Sequence, residues 1–147
     1  RWRGWPKSWA EARPDAVGSG GVGWIVLAFG LLFGSLYPLT QIYQLDEDRE
    51  RGDRTLATAL GVSGSLRLAM LLGVLAAIAI RFGLLERGAG ALRFLPLAAV
   101  LTWTGHLLLW HLRSPGFAAP DHERGMYRAL NLWALVDVAL LVAWFLR

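Results

Sequence analysis

Five of the chain's eleven acidic residues fall within eight positions, Asp46-Glu47-Asp48-Arg49-Glu50-Arg51-Gly52-Asp53. Just before them stand Tyr37, Thr40, Gln41, Tyr43 and Gln44, an unusual polar set at the end of a long apolar run. Carboxylates gathered at the mouth of a membrane helix suit hard divalent cations. Mg²⁺ takes oxygen ligands, keeps several waters, and bridges one or two carboxylates to substrate phosphates. Asp46, Glu47 and Asp48 are the candidate metal ligands, and Arg51 and Arg54 are placed to reach phosphate oxygens. The chemistry expected is a cation-bridged diphosphate at the membrane surface with its lipid tail inside the protein. The plainer alternative is a solvated loop whose acids and arginines pair with one another.

The polar set strengthens the first reading. If the helix runs on, Tyr37, Gln41, Gln44 and Asp48 succeed one another at spacings of 4, 3 and 4 and share one face. Such a stripe is costly against lipid, so it should face a bundle interior or a water-filled cavity. Pro38 removes an amide donor and frees the carbonyl of Gly34, loosening the helix below the stripe. Gly52 is placed to end the helix and Asp53 to cap the next one.

The elements that must position these residues are read from the charge pattern. Of 147 residues, 55% are hydrophobic and only 18% are charged. A soluble domain carries roughly a quarter charged residues. No Lys, Arg, Asp or Glu occurs from Ala16 to Leu45. The runs are long enough to cross a bilayer and lack the alternation of barrel strands. The expected fold is an all-α, polytopic membrane domain over residues 22–147. Four transmembrane helices are expected at about 22–44, 66–85, 94–112 and 129–146. The second has 13 uncharged residues between Arg67 and Arg81, whose side chains can snorkel outward. Residues 1–21 form a basic lead-in with Trp2, Trp5 and Trp9, either interfacial or flexible.

Other features exclude function classes. With no cysteine there is no disulfide framework, thiol nucleophile or cysteine metal site. The net charge of +4 comes from basic residues that punctuate apolar runs, as membrane-flanking charges do. The partner they imply is the lipid bilayer, not nucleic acid. The first residues hold no apolar signal core, and the chain starts at Arg1 rather than Met, so a piece of a longer protein is expected. No phosphate-binding glycine loop or nucleophile elbow occurs. Charge counting leaves the orientation open, with seven basic residues on one side and eight on the other.

Three minor candidates remain. Asp137 lies inside the last apolar run, where a buried or interhelically bonded carboxyl that fixes packing is the expected role. His106 and His111 are five apart, a poor spacing for a shared metal on a helix, so packing roles are expected. Gly30 and Gly34 have the spacing that lets membrane helices approach closely.

The stretch Tyr37-Pro38-Leu39-Thr40-Gln41-Ile42-Tyr43-Gln44, the acid cluster, and Gly52-Asp53-Arg54-Thr55-Leu56-Ala57-Thr58-Ala59-Leu60-Gly61 resemble the second aspartate-rich motif of the UbiA superfamily. These are intramembrane prenyltransferases with two such motifs at the cytoplasmic ends of their helices. Both motifs bind Mg²⁺ and the diphosphate of an isoprenyl donor. The allylic diphosphate ionises and the prenyl cation alkylates an aromatic or other lipophilic acceptor. The resemblance is most specific over 37–61, and the helices after it would be the family's last three.

The family's pair of aspartates falls on Gln44 and Asp48; the second is matched and the first is Gln. Asp46 and Glu47 lie in the same window and supply the missing charge. The resemblance implies that Tyr37, Gln41, Tyr43, Gln44, Asp53 and Arg54 contact the prenyl diphosphate, with Asp46, Glu47 and Asp48 holding Mg²⁺. It implies a bacterial inner membrane with loop 45–65 on the cytoplasmic side. The family's first motif is absent from these residues. The chain is therefore expected to need an N-terminal half as partner and to be inactive alone. The competing expectation is a non-catalytic membrane bundle that binds a lipid or partner helices through Gly and Trp faces.

Overall fold

The computed structural model describes residues 21–88 and 90–145. The lead-in expected over 1–21 lies, apart from Gly21, outside the described residues. The described residues are all-α. Helices run over Val22–Ile42 (α1), Leu45–Arg51 (α2), Leu56–Arg87 (α3), Phe94–Arg113 (α4) and Ala119–Phe145 (α5). Single 3-10 turns at Gly90–Arg93 and Ser114–Gly116 lead into α4 and out of it. All but α2 are long and apolar enough to cross a membrane, as an integral membrane protein requires. At 1.5 Å per residue, the 21 residues of α1 span about 30 Å, the thickness of a bilayer's hydrocarbon core.

Neighbouring helices run antiparallel. α1 lies along α3, α3 along α4 and α4 along α5, and α5 returns to touch α1. One end of the bundle therefore holds the C-terminus of α1, all of α2, the start of α3, the end of α4 and the start of α5. At the opposite end Trp24 Nε1 donates to Glu86 Oε1 at 3.0 Å, and the Arg87 guanidinium lies 4.1 Å from the Trp144 ring centroid.

Lipid offers no hydrophobic drive for helix association, so packing rests on close approach and interhelical hydrogen bonds. Two indoles supply both. Trp103 is fully buried on Gly73, where an added Cβ would come within 2.5 Å of its ring, and it donates to the Ala129 carbonyl at 3.0 Å. Trp110 lies on Gly125, with 2.7 Å left for a Cβ, and donates to His122 Nδ1 at 3.0 Å. Gly30 and Gly34 take no such part: a Cβ at Gly30 meets nothing, and one at Gly34 only touches Leu72 at 3.8 Å.

The bounds differ from expectation where polar residues carry a helix beyond its apolar run. The stretch expected as loop 45–65 holds α2 and the first turns of α3. Thr55 caps α3, not Asp53: its Oγ1 accepts from the Thr58 amide at 3.1 Å, and Thr58 Oγ1 accepts from the Thr55 amide at 2.8 Å. From there α3 runs to Arg87 with one break, at Gly61, whose φ of 66° and ψ of 177° suit glycine alone. α5 starts at Ala119 rather than near 129, through a polar first stretch anchored by Asp121, whose carboxylate accepts from the Ala118 amide at 3.0 Å.

Candidate functional site

The stripe expected along one continuous helix is divided. α1 ends at Ile42, and the chain turns through Tyr43 and Gln44 before α2 begins. The turn rotates α2 relative to α1, so Asp48 no longer shares a face with Tyr37 and Gln44. Tyr37, Thr40 and Gln44 stay outward, in line with Gly30 and Phe33 on α1, and all five are exposed. Asp48 turns inward and its side chain is only 6% exposed. Pro38 is buried within α1, which stays helical on both sides of it.

Gln41 and Gln44 have separate partners. Gln41 Oε1 accepts from the Ala57 amide at 3.2 Å, tying the end of α1 to the open first turn of α3. Gln44 Nε2 donates to the Tyr43 hydroxyl at 3.0 Å. Gln41 is thus a structural tether as well as a candidate ligand contact. Arg54 is exposed and has no ion-pair partner among the described residues.

The acids divide into two sets. Asp46, with 87% of its side chain exposed, faces Arg49 at 3.5 Å. Glu47, Asp48 and Asp53 converge on Arg51, at 3.7, 2.6 and 2.9 Å. The convergence arises from the end of α2. Gly52, with φ of 75°, closes the helix in the left-handed conformation. The Asp53 amide then reaches back to the Asp48 carbonyl at 2.8 Å and the Gly52 amide to the Arg49 carbonyl at 3.1 Å. This brings the Asp53 carboxylate to the same guanidinium as Asp48. The hydrogen bond to Asp53 holds the Arg51 pKa above its ordinary value, with Asp48 acting in the same direction.

Among the described residues no three acids or histidines form a ready-made metal cage, and the three acids that converge do so around the Arg51 guanidinium. Their chemistry nevertheless fits Mg²⁺ held through water and phosphate. All donors are carboxylate oxygens, and Asp48 and Asp53 already meet around a single cationic group. A cage of protein ligands is not the habit of this ion. Beside α2 lies a hollow of about 250 Å³, bordered by Tyr43, Asp46, Arg49, Ser114, Phe117 and His122. It joins the acid helix to the connection between α4 and α5.

That connection leads to residues that no sequence motif exposes. A second cavity, of about 360 Å³, lies between α4 and α5 and is lined by Arg113, Arg124 and Arg128. The three arginines are spread over two helices, so no local pattern links them. Their place on the same side of the membrane was the available signal. His106 contributes Nε2 to a 3.0 Å hydrogen bond with the Gly125 carbonyl, a packing role as expected for it. Asp137 is half-buried, and its Oδ1 has no hydrogen-bond partner among the described residues. No protein-family model, curated protein or solved structure gives a significant match to this chain.

Proposed function

We propose that this chain is the diphosphate-binding part of an intramembrane prenyltransferase similar to the UbiA superfamily. The reaction is transfer of a prenyl group from an isoprenyl diphosphate to a lipophilic or aromatic acceptor. The observation that supports the reading is the outward polar line of Tyr37, Thr40 and Gln44 at the end of α1, followed after one turn by a short acidic helix whose Asp48 is buried against Arg51. Polar side chains on the outer face of a spanning helix are costly against lipid. They belong against further helices or a water-filled mouth. Helices from an N-terminal part of the same protein are the partner that would complete such a mouth.

In this reading each residue has a separate task. Mg²⁺, when bound, offsets the charge that grows on the departing diphosphate. Asp48 and Asp53 supply the oxygens that hold it, with Asp46 and Glu47 adding negative potential at the rim. Arg51 leaves its three acids for the diphosphate oxygens, and Arg54 reaches them from the loop. Gln44 donates from Nε2 to a terminal oxygen. The rings of Phe33 and Tyr37 line the path of the prenyl chain and favour the allylic cation through their faces. The bilayer side is the cytoplasmic one, where such a donor is made.

The test is binding of an isoprenyl diphosphate by titration calorimetry, with and without Mg²⁺, to the purified protein with any helices that precede these residues retained. Binding that requires Mg²⁺ and weakens about tenfold, or 1.4 kcal/mol, in Asp48→Asn is expected. Binding indifferent to both refutes the proposal. One observation favours the second reading, a non-catalytic bundle: every carboxylate from Asp46 to Asp48 already has an arginine partner. Under that reading Asp48→Asn changes local charge alone.

A further inference from the structure

The cavity between α4 and α5 has a charge balance opposite to that of α2. Three arginines line it, Arg113, Arg124 and Arg128, against the single acid Asp121. Asp121 is already engaged, by Arg124 and by the Ala118 amide. Arg113 and Arg128 have no ion-pair partner among the described residues. Arg124 and Arg128 are four apart, one turn of α5, so they share a face, and Arg113 ends the facing helix.

The floor of the cavity is firm. Gly125 admits the Trp110 indole against the α5 backbone, and the Trp110–His122 hydrogen bond fixes the ring there. His106 is tethered to the Gly125 carbonyl and adds a second wall. The three arginines are exposed and stand at the rim of a hollow whose floor is the Trp110–Gly125 contact.

The surroundings of the cavity point to the occupant. Arg113 is the last residue of α4, a helix long and apolar enough to span a bilayer, so its end falls near the headgroups of a membrane that α4 crosses. Directly beneath it α4 turns Leu108, Leu109 and Leu112 outward, all of them exposed. An occupant that fits both parts carries a phosphate at one end and acyl chains at the other. Guanidinium groups pair with phosphate oxygens in a two-bonded fork. Basic hollows between membrane helices hold anionic headgroups on the same grounds.

We infer that the α4–α5 cavity is a binding site for the phosphate of an anionic phospholipid, whose acyl chains lie along the leucine face of α4. Free inorganic phosphate shares the charge chemistry but gains nothing from the leucines. This site stands apart from the acid helix and does not depend on the prenyl-transfer reading.

The test is native mass spectrometry of the full chain released from detergent, with phosphatidylglycerol, phosphatidylcholine or inorganic phosphate added. One phosphatidylglycerol per chain is expected, held about tenfold or more tightly than phosphatidylcholine, because each arginine near a headgroup adds several-fold. Millimolar inorganic phosphate should not displace it. Arg113→Gln combined with Arg128→Gln should bring phosphatidylglycerol down to the phosphatidylcholine level. Arg67→Gln, at an exposed position of α3 outside the cavity, should leave it unchanged, as should Asp48→Asn. Equal retention of the two lipids overturns the inference, and the wild-type comparison gives that answer whether or not the variants fold. Displacement by inorganic phosphate, or equal loss in Arg67→Gln, overturns it too.

Discussion

Two regions at the same end of the bundle solve opposite electrostatic problems. From Asp46 to Arg54 five acids meet three arginines, and Arg49 and Arg51 fold back over the acids. Between α4 and α5 three arginines meet one acid, and two of them stay unpaired among the described residues. The acid helix folds two arginines over four of its five acids and keeps a negative excess, while the arginine cavity keeps a positive one. Exposed pairs are worth little each, so the arginines of α2 can be released at small cost when a better partner arrives. Asp48 is the exception. It is buried, so a charge on it must be met by Arg51 or by another cation. A run of acids in a sequence does not say which one matters; burial does.

Substitutions in the floor of the arginine cavity break the comparison most strongly. Gly125→Leu places atoms against the Trp110 ring, where even a Cβ would sit at 2.7 Å. A loss of about 1–3 kcal/mol from overpacking is expected, read as a fall in the thermal midpoint in detergent. Gly30→Leu, with open space around it, is the matched control and should leave the midpoint unchanged. A smaller effect is expected for Thr55→Ala, which removes the acceptor for the Thr58 amide at the start of α3. The cost is about 1 kcal/mol, and hydrogen exchange should rise at residues 56–60 before it rises elsewhere.

The smallest effect sharpens the distinction within α2. Asp46→Asn removes one partner of an exposed pair at 3.5 Å and should change stability by less than about 0.5 kcal/mol. If Asp46→Asn and Asp48→Asn weaken Mg²⁺-dependent diphosphate binding equally, burial is not the property that separates the two carboxylates.

Four apolar helices were legible because long apolar runs with few charges have few other uses, even where Arg67, Arg81 and Asp137 interrupt them. Their ends were less so. Residues 119–128 read as a connection because Asp121, His122, Glu123 and Arg124 are polar, yet they form the first turns of α5. A helix can run on past the membrane surface, and hydropathy does not register that. The start of α3 was hidden likewise, since its signal is the hydroxyl pair Thr55 and Thr58 rather than an apolar period. The acid cluster was visible as a string of letters. The turn at Tyr43 and Gln44 was not, and it parts Asp48 from Tyr37 while Gln41 is drawn to α3. The arginine cavity was hidden because Arg113 and Arg128 lie far apart in sequence and meet only through the α4–α5 pairing.

The outward line of α1 should face a water-filled mouth that holds diphosphate, and the absence of cysteine makes this directly measurable. Tyr37→Cys and Leu108→Cys lie equally far from the ends of α1 and α4, five residues in each case. Each would be introduced into the protein in its native membrane and exposed to a membrane-impermeant maleimide. The expected result is that Tyr37→Cys reacts readily, that Mg²⁺ with an isoprenyl diphosphate slows it several-fold, and that Leu108→Cys stays unreactive. Equal protection of both positions by lipid, or a Tyr37→Cys rate indifferent to diphosphate, would contradict it.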